Sequence, residues 1–234
     1  MRIPDEVLAA ADGERLELVW ENGLGGRTFR LGSDRFVKWV PPGEPELDIP
    51  AEVARLRWAA QFTPVPVVVA AGETWMITTA LPGETAISER WKRDPEPAVT
   101  AIGRGLRALH DALPVEECPF SWSVESRLPL AESAPQAVRE FLAAPPPIDR
   151  LVVCHGDACA PNTLLDGSGR WVAHVDLGQL GVADRWADLA VATWSTEWNY
   201  GPGWEDTLLR AYGIAADPVR IAYYRKLWDP NHGC

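Results

Sequence analysis

The chain has 234 residues, 47% of them hydrophobic and 24% charged, and its 22 Lys+Arg against 33 Asp+Glu give a formal net charge of -11. The apolar fraction excludes a disordered chain, and the length suits one large domain or two small lobes. The acidity argues against nucleic acid, whose phosphates need a basic face, and favours a small cationic molecule as partner.

Residues 1–17 lack the apolar core of a signal peptide, and no run approaches the roughly 18 apolar residues of a membrane span. Cys118, Cys154, Cys159 and Cys234 follow neither CxxC nor metal-ligand spacing. Together these readings predict a reduced, cytoplasmic protein without a membrane partner. The first eighty residues read as short strands rich in Val, Trp, Phe, Ile and Thr: Leu16–Trp20, Arg27–Leu31, Arg35–Val40, Val65–Ala70 and Trp75–Ala80. One helix interrupts them at Pro50–Phe62, where Pro leads and Val53, Leu56, Ala59 and Ala60 recur at helical spacing.

The texture changes at Leu81. A helix is predicted over Ala98–Leu109 despite two glycines, followed by a proline-rich, irregular stretch over 111–150 with one helix near Ala134–Ala143. Leu151–Cys154 reads as a short buried strand, and Leu164–Leu165 pairs with Trp171–Val175 around a DGSG turn. From about Asp184 the chain is helical in three segments. The division is therefore a β-rich lobe over 1–80 and an α-rich lobe over 81–234. Of the twelve tryptophans, the late ones (Trp186, Trp194, Trp198, Trp204) are expected to be mostly core, although they could also line a pocket.

The chemistry concentrates after the buried strand. Cys154–Asn162 (CHGDACAPN) lies in a loop, and nineteen residues beyond Asp157 comes Asp176 in VDLG, again at a strand end. Asp157, Asn162 and Asp176 are hard oxygen donors of the kind Mg²⁺ takes, with phosphates and water filling the octahedron. Asp157 is placed to accept a hydroxyl proton while the metal neutralises a transferring phosphoryl group. Other residues have plainer readings. His155 braces the loop, Cys159 packs because no histidine is placed to activate it, and His110 is structural. Asp184 and Asp188 cap a helix and pair with the loop.

Asn five residues after Asp, followed by a DxG, resembles the kinase catalytic loop. His-Gly-Asp in place of His-Arg-Asp resembles the aminoglycoside phosphotransferase family, and the continuations HVDLGQLGVADRWADLAVAT and YGIAADPVRIAYYRKLW look like its 3'-phosphotransferase branch. The resemblance implies an α+β, protein-kinase-like two-lobe fold, with a small antiparallel sheet and one helix in the first lobe and a mostly helical second lobe. It implies Asp157 as catalytic base and Asn162 and Asp176 as Mg²⁺ ligands. ATP would be the phosphoryl donor, with GTP as the alternative. Gly23, Gly25 and Gly26 would form a loop over the phosphates, though a glycine loop between strands is also just a hairpin. Lys38, the only lysine of its lobe, would hold the α- and β-phosphates and pair with Glu52; the plainer alternative is a solvent-facing strand lysine. Phe36 would stack on adenine, and Thr79-Ala80-Leu81 would be the hinge that bonds the base.

Three departures from the family pattern concern the acceptor. The stretch 111–150 is shorter than in kanamycin-modifying relatives, Gln179 stands where relatives place Arg, and tryptophans interleave the late carboxylates. Glu197 and Trp198 are the candidate substrate contacts. The expected function is O-phosphorylation of a small-molecule hydroxyl, an aminoglycoside or other antibiotic, by a monomer or homodimer. The alternatives are a kinase for a nucleoside or peptide antibiotic or a metabolite, an inactive nucleotide-binding regulator, and a two-carboxylate hydrolase, which would make the Asp-to-Asn spacing a coincidence.

Overall fold

The computed structural model describes residues 3–44 and 47–231, so Cys234 lies outside the described residues. The chain divides into two compact units, Met1–Pro82 and Gly83–Cys234.

The first unit opens with helix α1 (Asp5–Ala11), followed by strands β1 (Leu16–Glu21), β2 (Arg27–Leu31) and β3 (Arg35–Trp39). Helix α2 (Ile49–Ala59) and strands β4 (Val68–Ala71) and β5 (Trp75–Thr79) complete it. The strands form one antiparallel sheet in the order β1-β2-β3-β5-β4. On one face, Phe29, Leu31, Val37 and Ile77 pack with Val7 and Ala11 of α1. Alternation along β3 turns Lys38 to the other face, where it meets Glu52 of α2. Helix α1 is a correction to the single-helix expectation for this lobe. Its apolar stripe is short, yet it carries Asp5 and Glu6 in its first turn and ends at Asp12, which adopts the left-handed conformation at φ 46°.

The second unit runs β6 (Glu84–Thr85), α3 (Glu89–Arg93), α4 (Pro95–Ala112), α5 (Val124–Arg127), α6 (Gln136–Leu142), β7 (Leu151–Cys154), β8 (Thr163–Leu165), β9 (Trp171–His174), β10 (Gly181–Asp184), α7 (Trp186–Tyr200), α8 (Glu205–Tyr212) and α9 (Pro218–Trp228). Two small antiparallel ladders, β10-β7 and β6-β8-β9, carry the loops of interest at their ends. Helix α4 buries Val99, Ile102, Leu106 and Leu109. Its Gly103 is explained by packing, since a Cβ there would lie 2.4 Å from the Leu208 carbonyl oxygen of α8. Helix α7 is buried on nearly all sides through Thr196, which makes it the central post of the unit. Asp217 caps α9 by accepting from the Val219 and Arg220 N–H groups. The stretch 111–150 carries two helices, α5 and α6, where one was expected. No described helix is long and apolar enough to cross a membrane.

Candidate active site

The loop that leaves β7 is fixed by buried polar bonds. Asp188 of α7 accepts from the His155 N–H at 2.6 Å, the Gly156 N–H at 2.9 Å and His110 Nε2 at 2.9 Å. His110 Nδ1 in turn lies 2.9 Å from the Tyr212 hydroxyl. Burial works to raise the Asp188 carboxyl, but bonds and charge from His110, then His155 and Gly156, bring it below the usual range. His155 is wholly buried; its Nε2 donates to the Val175 carbonyl at 3.0 Å and its Nδ1 accepts from the Asp157 N–H at 3.3 Å. It braces the loop and has no ring nitrogen left for proton transfer. A second anchor from α7 is Ser195, whose hydroxyl accepts the Ala160 N–H at 2.9 Å.

Asn162 Nδ2 donates to the Asp157 carbonyl at 2.9 Å and to Asp157 Oδ2 at 3.2 Å. Asp157 Oδ1 is buried and accepts no hydrogen bond of ordinary geometry from the described residues, while the Cys159 thiol lies close enough to the carboxylate to favour its charged form. Burial, then the negative charge of Asp176, hold the Asp157 carboxyl above its ordinary value. A cation beside these carboxylates relieves that repulsion, and with its NH₂ committed Asn162 keeps its amide oxygen as a ligand. The donor set therefore fits a hard divalent ion. Asp176 itself is exposed, with φ 61°. A non-glycine residue there is held ~1–3 kcal/mol uphill and persists only where its surroundings fix it. Gly156, at φ +82°, lies against this turn: a Cβ on it would be 2.1 Å from the Gln179 carbonyl oxygen.

Two other groupings are inert. His110, Cys154 and Asp188 come together in the core, but the Asp188 oxygens are filled by three N–H donors and burial pushes the Cys154 thiol far up. Burial, with the charge of Asp157, likewise pushes the Cys159 thiol up, which supports packing over nucleophilic attack.

In the first unit, Lys38 Nζ lies 2.7 Å from Glu52 Oε2, and Glu52 is 4% exposed. Phe36 shares the Lys38 face and is covered by the Arg30 guanidinium at 4.7 Å. The loop with Gly23, Gly25 and Gly26 is a closed hairpin. Asn22 Oδ1 accepts the Leu24 and Gly26 N–H groups at 3.0 and 2.8 Å, and the Asn22 carbonyl accepts the Gly25 N–H at 3.1 Å. In the hinge segment, Thr79 and Ala80 spend their N–H groups on the Val67 and Asp34 carbonyls.

The late tryptophans correct the expectation of a mostly core role. Trp186 is buried, but Trp194, Trp198 and Trp228 form a cluster of tilted and edge-on rings, with centroids 4.7 Å (Trp194–Trp198), 6.0 Å (Trp198–Trp228) and 6.4 Å (Trp194–Trp228) apart, and Trp198 is 47% exposed. Glu197, one residue before Trp198, instead lines a cavity of about 140 Å³ with Thr193, Trp204, Glu205 and Arg225. The two candidate substrate contacts therefore have different surroundings. Sequence reasoning missed Trp122 and Arg127, which no motif marks.

A model of a phosphotransferase enzyme family matches residues 19–224. The chain belongs to that family. It is 35% identical to the aminoglycoside 3'-phosphotransferase of Streptomyces fradiae, over 80% of this chain and 82% of that one. To an aminoglycoside 3'-phosphotransferase of Escherichia coli it is 34% identical, over 97% and 94%. Among solved structures, an aminoglycoside-3'-phosphotransferase of type VIII superposes with TM-score 0.76 at 31% identity, covering 96% of this chain and 97% of the other. The aminoglycoside phosphotransferase APH(3'')-Id of Streptomyces rimosus, in complex with ADP and streptomycin, gives TM-score 0.71 at 29% identity, with 95% of each chain covered. The kinase-like α+β fold and the family expected from the paired motifs are those of this phosphotransferase.

Proposed function

We propose that the protein transfers the γ-phosphoryl group of ATP to a hydroxyl of a small antibiotic of the aminoglycoside class, with Mg²⁺ as cofactor. The observation that carries this reading is the buried Oδ1 of Asp157, which accepts no hydrogen bond of ordinary geometry from the described residues, beside Asn162 and Asp176. Asp157 orients the acceptor hydroxyl and takes its proton as the oxygen bonds to phosphorus and ADP leaves. Asn162 and Asp176 would hold Mg²⁺, which supplies charge neutralisation on the phosphates. Lys38, kept in place by Glu52, binds the α- and β-phosphates. Thr79 and Leu81 bond the base, and Phe36 offers it a ring face. The loop bearing Gly23, Gly25 and Gly26 covers the phosphates only by exchanging the bonds that Asn22 now accepts.

Glu197 and Trp198 meet the acceptor. The clustered Trp194, Trp198 and Trp228, of which Trp198 is exposed, favour a second reading of the substrate, in which the body is aromatic or carries few ammonium groups and binds against these rings. ADP release measured across a panel of aminoglycoside, nucleoside and peptide antibiotics separates the two. Stimulation by kanamycin-type compounds supports the first reading, and stimulation by less charged compounds alone supports the second. ATP binding without stimulation by any acceptor in the panel would contradict the proposed transfer.

A further inference from the structure

Part of the stretch 111–150 is built into the catalytic region. The Val182 N–H donates to the Phe120 carbonyl at 2.9 Å and the Trp122 N–H to the Val182 carbonyl at 3.0 Å, so this segment runs alongside β10. The buried Trp122 ring then reaches the catalytic loop, where a Cβ on Gly156 would lie 2.8 Å from it. Arg127 of α5 lays its guanidinium over the same ring, 4.8 Å from the centroid, and Nη1 donates to Gln179 Oε1 at 3.1 Å.

Gln179 belongs to the turn that follows Asp176, whose left-handed backbone must be held by its neighbours. Within the turn the Leu180 N–H donates to the Leu177 carbonyl at 3.0 Å, and His155 holds the Val175 carbonyl before it. The bond from Arg127 ties the turn to a different segment of the chain. We infer that Arg127 is a positioning residue, joining Gln179 to Trp122 and so fixing the Asp176 turn against the catalytic loop. The inference rests on the proposed role of Asp176 as a metal carboxylate. A planar guanidinium serves both contacts at once, stacking with its face and donating from its edge.

Arg127→Met keeps an apolar cover on Trp122 and removes the donor, whereas Gln179→Ala removes the acceptor and leaves Arg127 stacked. Amide hydrogen exchange at residues 177–180 in the metal-free protein is read first, then the Mg²⁺ midpoint for ADP release. Each variant is expected to exchange about tenfold faster at these amides, the factor one charge-assisted hydrogen bond supplies. The Mg²⁺ midpoint should rise severalfold, the double variant should be no worse than either single, and Gln179→Glu should keep the protection. Unchanged exchange in Arg127→Met and Gln179→Ala, or losses that add in the double variant, would overturn the inference. If Asp176→Ala leaves the Mg²⁺ requirement unchanged, the metal reading fails, and the exchange data still decide whether Arg127 holds the turn.

Discussion

The Lys38 ammonium and the Glu52 carboxylate meet at 2.7 Å, one from the penultimate residue of β3 and the other from the first turn of α2, with side chains 19% and 6% exposed. A carboxylate so little exposed depends on its partner, because removing one member of a buried pair leaves an uncompensated charge. Lys38→Ala is therefore expected to raise the KM for ATP by about tenfold or more while leaving the acceptor KM within about twofold. Equal increases in both constants would show that Lys38 does not serve the nucleotide. Glu52→Gln, which retains the lysine and loses its anchor, should give a smaller rise in the same constant.

Asn22 holds the glycine loop shut by accepting the Leu24 and Gly26 N–H groups. Asn22→Ala frees both donors for phosphate and costs little elsewhere, since among the described residues the Asn22 side chain bonds only within this loop. The expected result is a KM for ATP lowered about two- to fivefold, from recovery of part of the ~0.5–1.5 kcal/mol that each bond contributes. A raised KM would mean that the closed hairpin is the competent form.

The loop that carries Asp157 hangs from Asp188, so loss of that carboxylate should register as instability as well as inactivity. In the folded protein the His110 and His155 partners hold the Asp188 carboxyl below its ordinary value of 3.8. The unfolded chain thus binds more protons as pH falls, and the stability contributed by this carboxylate is fully present above pH 3.8 and lost as pH drops through the lower folded value. Asp188→Asn should be destabilised at pH 7 and lose less additional stability than the parent on acidification below that point. Parallel acid-denaturation curves for the two proteins would contradict this.

His174 is buried, and neither ring nitrogen has a hydrogen-bond partner among the described residues; its ring packs against those of His155 and Trp171. An unsatisfied buried polar group costs ~1–3 kcal/mol, and an apolar ring of similar shape avoids it. His174→Phe should therefore raise the melting temperature at pH 7 by several degrees, at about 2–4 °C per kcal/mol for a chain of this size. A lower melting temperature would point to a bonding role for the imidazole.

The core of the site was legible because it is local in sequence. Asp157 and Asn162 share one loop, and Asp176 follows a strand that pairs with the strand beyond that loop, so spacing and strand ends bring them together. Helix α1 was not legible, since Val7 and Ala11 are its only buried residues and its signals are charges and a left-handed cap. The Arg127–Gln179 bond joins residues 52 apart, and no periodicity encodes such a meeting. The spacing of Trp194 and Trp198 does place both on one helical face. Whether that face is covered depends on α9, whose Trp228 joins the cluster without enclosing it. The closed state of the glycine loop was not legible, because the motif counts glycines whereas the Leu24 and Gly26 N–H groups are taken by the asparagine just before them.

Asp157→Ala tests the phosphoryl-transfer reading most directly, through kcat with a responsive acceptor alongside the dissociation constant for ATP. In the proposed transfer Asp157 serves the acceptor rather than the nucleotide, and general-base and positioning roles contribute ~10²–10⁴-fold. The expected result is a kcat lowered by about that factor with ATP affinity nearly unchanged. A variant that keeps more than about a tenth of the parent kcat, or that loses ATP binding in step with turnover, would contradict the assignment of Asp157 as catalytic base.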